Sequence, residues 1–347
     1  MESAAILVRL RCSARKLQSN GGMRRSTCFS CIFLLAGLTA AGCGGGSADT
    51  SRAVPPTPHP KEPGSGGTVR AEMKGVNLRI DPSTVMEVRW LRGELVPTQE
   101  GKPPWFDDPS TFQVKIDEGE IALSPASMSA LMNNYVFNYP KAPVSDIKLE
   151  IHDGRLRQSA TLNKKVKLHT TLEGELSVTP DGDIRFHPTK IKAGDLPVKG
   201  LLDLLDIELS EMIDTAKARG VRMDENDLIL DPERVTPPPR IVGRVTAVRL
   251  EGDRIVQTFG GGSKETPLKP SFPKAEHYMF YRGGELSFGK LTMHGADLQI
   301  IDADPKDLFN FFLARYSQQL VAGHSRTMPD KGLVVFMPDF EETGGGR

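Results

Sequence analysis

Residues 166–186 constrain the fold more than any other stretch of this chain. Val166, Leu168, Thr170, Leu172, Gly174, Leu176 and Val178 occupy alternate positions, and Asp181-Gly182 then leads into Ile184 and Phe186. A period of two sustained over such a length describes a strand with one buried and one wet face. Asp-Gly is a turn dipeptide suited to a tight hairpin. A chain organised around this unit builds an antiparallel sheet, not a helical bundle.

The same grammar recurs on either side. Val76, Leu78 and Ile80 alternate, as do Phe112, Val114 and Ile116, and Asp117–Glu120 turns into Ile121 and Leu123. Val85, Val88, Trp90, Leu91 and Leu95 predict a hairpin turning near Gly93, and Ile147, Leu149 and Ile151 precede a second Asp153-Gly154 turn. The run Pro237–Pro239 cannot occupy a central strand and is expected as a stiff extended crossing. With 34 Gly and 26 Pro in 347 residues, turns and short strands should outweigh long helices.

Three helices are nevertheless expected. Ser124 can cap the first and Pro125 opens it where a missing N–H costs nothing. Its apolar stripe is Met128, Leu131, Met132, Tyr135 and Val136, and it ends before Pro140. The second, over 201–218, carries Leu201, Leu202, Leu204, Leu205, Ile207, Leu209, Met212 and Ile213, with Gly220 as its C-cap. So broad an apolar arc suits a helix enclosed by a curling sheet or lining a cavity. A third follows Asp304-Pro305 through Phe309, Phe312, Leu313, Tyr316 and Leu320. The expected fold class is α+β: a long, highly curved antiparallel sheet wrapped around one or two amphipathic helices.

The N-terminus carries a different message. Met23-Arg24-Arg25, an apolar run from Phe29 and the small residues Ala40-Ala41-Gly42 precede Cys43, the plan of a bacterial secretory signal with Met23 as its start. These residues resemble the lipobox of bacterial lipoproteins, except that Ala40 stands where that family usually has Leu. The resemblance implies cleavage before Cys43, diacylglycerol on its thiol and a palmitate-type acyl group on the new amine. The alternative is an ordinary secreted protein with a free Cys43 thiol. The other cysteines, Cys12, Cys28 and Cys31, fall inside the expected signal, so the mature chain has no disulfide to make. Residues 44–70 are Gly-, Pro- and Ser-rich and read as a tether. The domain plan is thus signal peptide 1–42, lipidated cysteine and tether 43–70, a sheet and helix body 71–260, and a region 275–340 that either extends the sheet or forms a small module. Six of the 44 basic residues and one of the 44 acidic residues lie before Cys43, which leaves a net charge of −5 from there on. Such a chain has no electrostatic footprint for nucleic acid.

Catalytic signatures are not legible. There is no phosphate-binding Gly-rich loop, no Gly-x-Ser-x-Gly elbow and no His-Glu-x-x-His. Asp302, Asp304 and Asp307 with His294 and Asp297 offer a weak cation-binding pattern, outweighed by a helix start and solvated acids. Asp227 and Asp231 read as turn residues, and His187 before Pro188 as a strand end. The chain is expected to be neither an enzyme nor a holder of cofactor or metal.

The order strand, Ser-Pro-opened helix, Asp-Gly meander, Ala193-Gly-Asp-Leu-Pro-Val-Lys-Gly-Leu-Leu202 and the late strand Val245–Asp253 resembles the tubular lipid-binding superfamily over residues 110–256. The resemblance implies an apolar seam for lipid. The lining candidates are Met128, Leu131, Met132, Leu168, Leu172, Leu176, Leu201, Leu205, Leu209 and Met212. The same residues could instead fill a solid core. The expected function is that of a non-catalytic envelope lipoprotein that binds or shuttles an acyl lipid such as a phospholipid or fatty acid. It would be anchored in the outer membrane through Cys43 and face the periplasm. The alternative is an assembly module that binds another envelope protein and has no lipid cavity.

Overall fold

The computed structural model describes residues 68–163, 167–194, 196–197, 209–260, 267–268, 275–328 and 332–344. Cys43, Leu201 and Leu205 lie outside them, as do the signal and tether, and Met212 is described in its backbone only.

The alternating segments become strands in chain order. β1 is Val69–Asp81, β2 Thr84–Pro97, β3 Phe112–Leu123, β4 Val144–His152, β5 Arg155–Asn163 and β6 Lys167–Val178. β7 is Ile184–Ala193, β8 Leu196–Pro197, β9 Val221–Asp224, β10 Asp227–Leu230, β11 Arg240–Val242 and β12 Val245–Glu251. β13 is Arg254–Phe259, β14 Tyr278–Phe288, β15 Leu291–Asp302, β16 Phe309–Phe312, β17 His324–Thr327 and β18 Leu333–Met337. The helices are short: α1 Pro125–Leu131, α2 Leu209–Met212, α3 Pro232–Val235 and α4 Tyr316–Ala322. A π-helical turn, Met132–Val136, continues α1.

The strands form two sheets. The larger runs β12-β13-β3-β2-β1-β14-β15-β18-β17, with β11 beside β3 and β16 beside β1. The smaller runs β4-β5-β6-β7-β10-β9, with β8 on β7. Strands β14 to β18 therefore continue the sheet begun by β1 to β3. The handover happens on β1, which pairs with β14 through Lys74 and with β16 from Val76 onward. Gly75 sits at that break with φ +64. A Cβ there would meet the His277 ring at 2.3 Å, so only glycine fits both the backbone and the space.

This architecture corrects the expected fold class. The chain is mostly strand, in two open sheets with a few short helices, and no described helix is wrapped by a sheet. Within the expected helix 201–218, the described residues hold one turn, Leu209–Met212. Asp214 Oδ1 then accepts the Ala216 amide at 3.0 Å, a local bond that competes with helical pairing. The third expected helix gives up its first half to strand β16, because Phe309 and Phe311 alternate beside a vacant stretch of β1. The expected hairpin at Gly93 does not exist, since β2 and β3 each run straight through their glycines. The apolar residues change phase there by register shifts at Arg92/Gly93 and Val88/Trp90. His187 lies inside β7 and not at its end. The prolines 237–239 do fall outside every strand, between α3 and β11.

Two apolar layers result. Within the large sheet, Phe106, Phe112, Tyr281, Phe288, Phe311 and Tyr316 pack as a ring cluster with centroids 4.8–6.1 Å apart. Between the sheets, α1 meets Met86, Ile121 and Leu123 from one side and Leu149, Ile184 and Phe186 from the other. The outer face of the large sheet is an ion-pair ladder. Arg89 contacts Glu87, Glu120 and Glu251 at 2.8–3.1 Å, Arg249 contacts Glu120 at 2.9 Å, and Arg254 contacts Glu87 at 3.0 Å. These pairs are only partly buried, and each contributes little. Their aliphatic stems matter more, because Ala122 and Val256 among them have 0% exposure.

Candidate functional site

Helix α1 holds the two sheets together through polar side chains. Ser124 accepts the Ser127 amide at 3.0 Å and caps the helix, as its sequence predicts. Ser127 Oγ accepts Val85 N of β2 at 3.2 Å, and Ser129 Oγ accepts Leu149 N of β4 at 2.8 Å. In the π turn, Asn133 accepts Ile147 N at 3.0 Å and donates to Ile147 O at 2.7 Å. β4 is the edge of the small sheet, and these side chains satisfy the backbone groups that its missing neighbour would have paired. The adjoining face of the helix and its π turn carries Met128, Leu131 and Met132, each at most 7% exposed.

Below that face runs an apolar seam made of three pockets with shared walls. The first is lined by Met86, Ile121, Met128, Leu131, Val235 and Ile241, among others. The middle one shares Met128, Ile184 and Leu230 with it and adds Leu149, Leu156, Leu176 and Ile255. The third shares Met132, Gln158, Phe186 and Leu228 with the middle one and ends at Leu172, Leu209 and Met223. Each is a cavity of only about 30–40 Å³. The seam is therefore a narrow cleft, and a ligand chain would enter by displacing its walls. Those walls include Met86, Met128, Met132 and Met223, whose unbranched side chains repack at little cost.

Six of the expected lining residues meet here: Met128, Leu131, Met132, Leu172, Leu176 and Leu209. Leu168 does not. It is 39% exposed and lines none of the three pockets, because it lies at the far end of the β5–β6 ladder, opposite Leu162. The lining also contains residues that hydrophobic counting passed over, namely Gln158, Asn226, Thr236 and Gln257. The missed signal was a polar residue at an inward position of an alternating strand. Gln257 is 7% exposed, no hydrogen bond to its amide is present among the described residues, and its polar atoms are not sealed from solvent.

The acidic residues singled out in the sequence take other partners. Asp302 pairs with His277 Nδ1 at 3.2 Å, Asp297 with Arg282 at 2.9 Å, Asp304 with Lys306 at 3.0 Å, and His294 with Glu285 at 3.4 Å. Burial pushes the Asp302 carboxyl above its usual range. Asp227 pairs with His187 at 2.6 Å, and Asp231 caps α3 through the Glu233 amide. Among the described residues no group of three His, Cys, Asp or Glu could hold a metal ion, and no helix is long and apolar enough to cross a membrane.

The chain matches no family model, no curated protein and no solved structure. Its own geometry is the basis for assigning it a function.

Proposed function

We propose that this protein is a non-catalytic binding module that holds an acyl chain in the seam between its two sheets. Secretion and lipidation at Cys43 would tether it to the bacterial envelope. The observation that carries the reading is the continuity of the seam. Three pockets share walls, the lining is almost wholly aliphatic, Met and aromatic, and one helix spans the gap between the sheets above them. Apolar burial supplies affinity, since each CH₂ removed from water is worth roughly 0.8 kcal/mol. A chain that opens the cleft by moving Met side chains can leave by the same route, which suits reversible carriage.

The test is native mass spectrometry and organic extraction of the purified full chain, washed free of detergent. The expected result is a stoichiometric acyl lipid. Leu230→Trp blocks the wall shared by two pockets and should lower occupancy at least about tenfold, with cooperative melting retained. A wild-type protein that carries no lipid and takes up no fluorescent acyl probe sinks the reading.

One observation favours the assembly role. β17 is fully exposed, and no described strand pairs with its outer edge, which leaves a template for strand addition. A dry seam together with a copurifying envelope protein would select that role.

A further inference from the structure

Strand β13 sends Ile255, Gln257 and Phe259 to the inner face of the large sheet, where their register partners are Leu123, Ile121 and Gly119. Two of the three inward positions are apolar and 2–4% exposed, and the middle one is an amide at 7%. Gln257 faces the first pocket beside Met86, Leu131 and Ile241. No described residue accepts from its nitrogen or donates to its oxygen. Thr236, 5% exposed, lines the same pocket, where its hydroxyl accepts the Ile241 amide and keeps its own proton to donate. Packing alone does not account for Gln257, because an aliphatic side chain would fill the same inward position as its neighbours Ile255 and Phe259 do.

The charge of the seam narrows the ligand further. No Lys, Arg, His, Asp or Glu lines any of the three pockets. An ionised carboxylate or phosphate drawn inside would lose its hydration and find no counter-charge. A neutral carbonyl would lose much less and would gain the waiting amide N–H.

We infer that the ligand group buried at Gln257 is an uncharged acyl ester, its carbonyl bound by the Gln257 amide and any ionised head left outside the seam. This rests on the acyl-binding reading above and specifies its chemistry. Gln257 is a specificity residue of the first pocket, whose other walls, Thr236 apart, are apolar.

The experiment uses the purified full chain and displacement of N-phenyl-1-naphthylamine by three probes of matched length: methyl laurate, laurate at alkaline pH and tridecane. Methyl laurate should displace the dye at about tenfold lower concentration than tridecane, the equivalent of about 1.4 kcal/mol, and laurate should be weaker than the ester. Gln257→Leu should lose the ester preference and bind the alkane at least as well as the ester, because the buried carbonyl then has no donor. If that variant fails to melt cooperatively, Gln257→Met carries the same comparison, and the wild-type ester-to-alkane ratio stands as a test without any variant. A wild type that binds all three without preference, one that prefers the laurate anion, or a leucine variant that still prefers the ester overturns this inference while leaving the seam in place. Failure of the wild type to take up the dye or any probe overturns the seam reading, and the inference falls with it.

Discussion

Asp339 accepts the Asn310 amide at 2.6 Å while it is only 7% exposed, close to Asp302, Asp307 and Glu342. Burial and those neighbouring acids push its carboxyl up to about 6, against the downward pull of the Asn310 N–H. A carboxyl raised on folding favours the folded state while it is protonated. Its contribution is complete below the unfolded value, near 3.8, and is lost as pH rises through about 6. Asp339→Asn keeps an acceptor for Asn310 and removes the charge. Its melting temperature should therefore gain on the wild type as pH rises from about 4.5 to about 7.5, read by thermal denaturation across that range. A constant difference between the two proteins would show that the carboxylate is not strained by its site.

At the scale of elements, the informative units are the α1 staple and the bulged strand β2. Ser129 and Asn133 stand in for a strand beside β4. Ser129→Ala and Asn133→Leu should each destabilise by about 1–3 kcal/mol through buried backbone groups left unpaired, measured by urea denaturation. Neither position lines the three pockets, so a surviving fold should keep its ligand preference. Gly93 makes a different demand. A Cβ there would stand 1.9 Å from the Lys115 carbonyl oxygen, which belongs to the backbone of the neighbouring strand. Gly93→Ala must then push β2 off β3 and should cost about 1–3 kcal/mol in the same assay. Wild-type stability in that variant would mean the strands can part locally at no expense.

The whole molecule depends on a single continuous large sheet. β14 pairs with β1 over Arg70–Lys74, and the ring cluster joins Phe106 and Phe112 to Tyr281, Phe288 and Tyr316. Ending the chain after Gly260 would strip one long edge of β1 and expose those rings. The truncated protein should aggregate or fail to melt cooperatively, as seen by size-exclusion chromatography and calorimetry. A soluble, cooperatively folding truncation would show that the aromatic layer folds independently of the seam. The cleft itself belongs to this scale, because its walls come from β2, β3, β4, β5, β6, β7, β10 and β13 as well as α1.

The sequence by itself determined much of the local structure. Alternation placed the cores of β1, β3, β6 and β7, the Asp-Gly pairs placed two hairpins, and Ser124-Pro125 placed the start of α1. These are short-range effects, set by side-chain periodicity and by what each residue allows its own backbone. Met128, Leu131 and Met132 could be picked out for the same reason, since a helix start and a stripe are both local. Only the tertiary structure decided the rest. Phe309 and Phe311 became strand because β1 had a free edge for them, and Gly93 became a bulge because Lys115 runs close beside it. Leu168 was lost to solvent because β5 and β6 extend past the seam. Gln257 emerged as a polar point of the pocket because facing a cleft is a property of the assembled walls, and no window of sequence contains those walls.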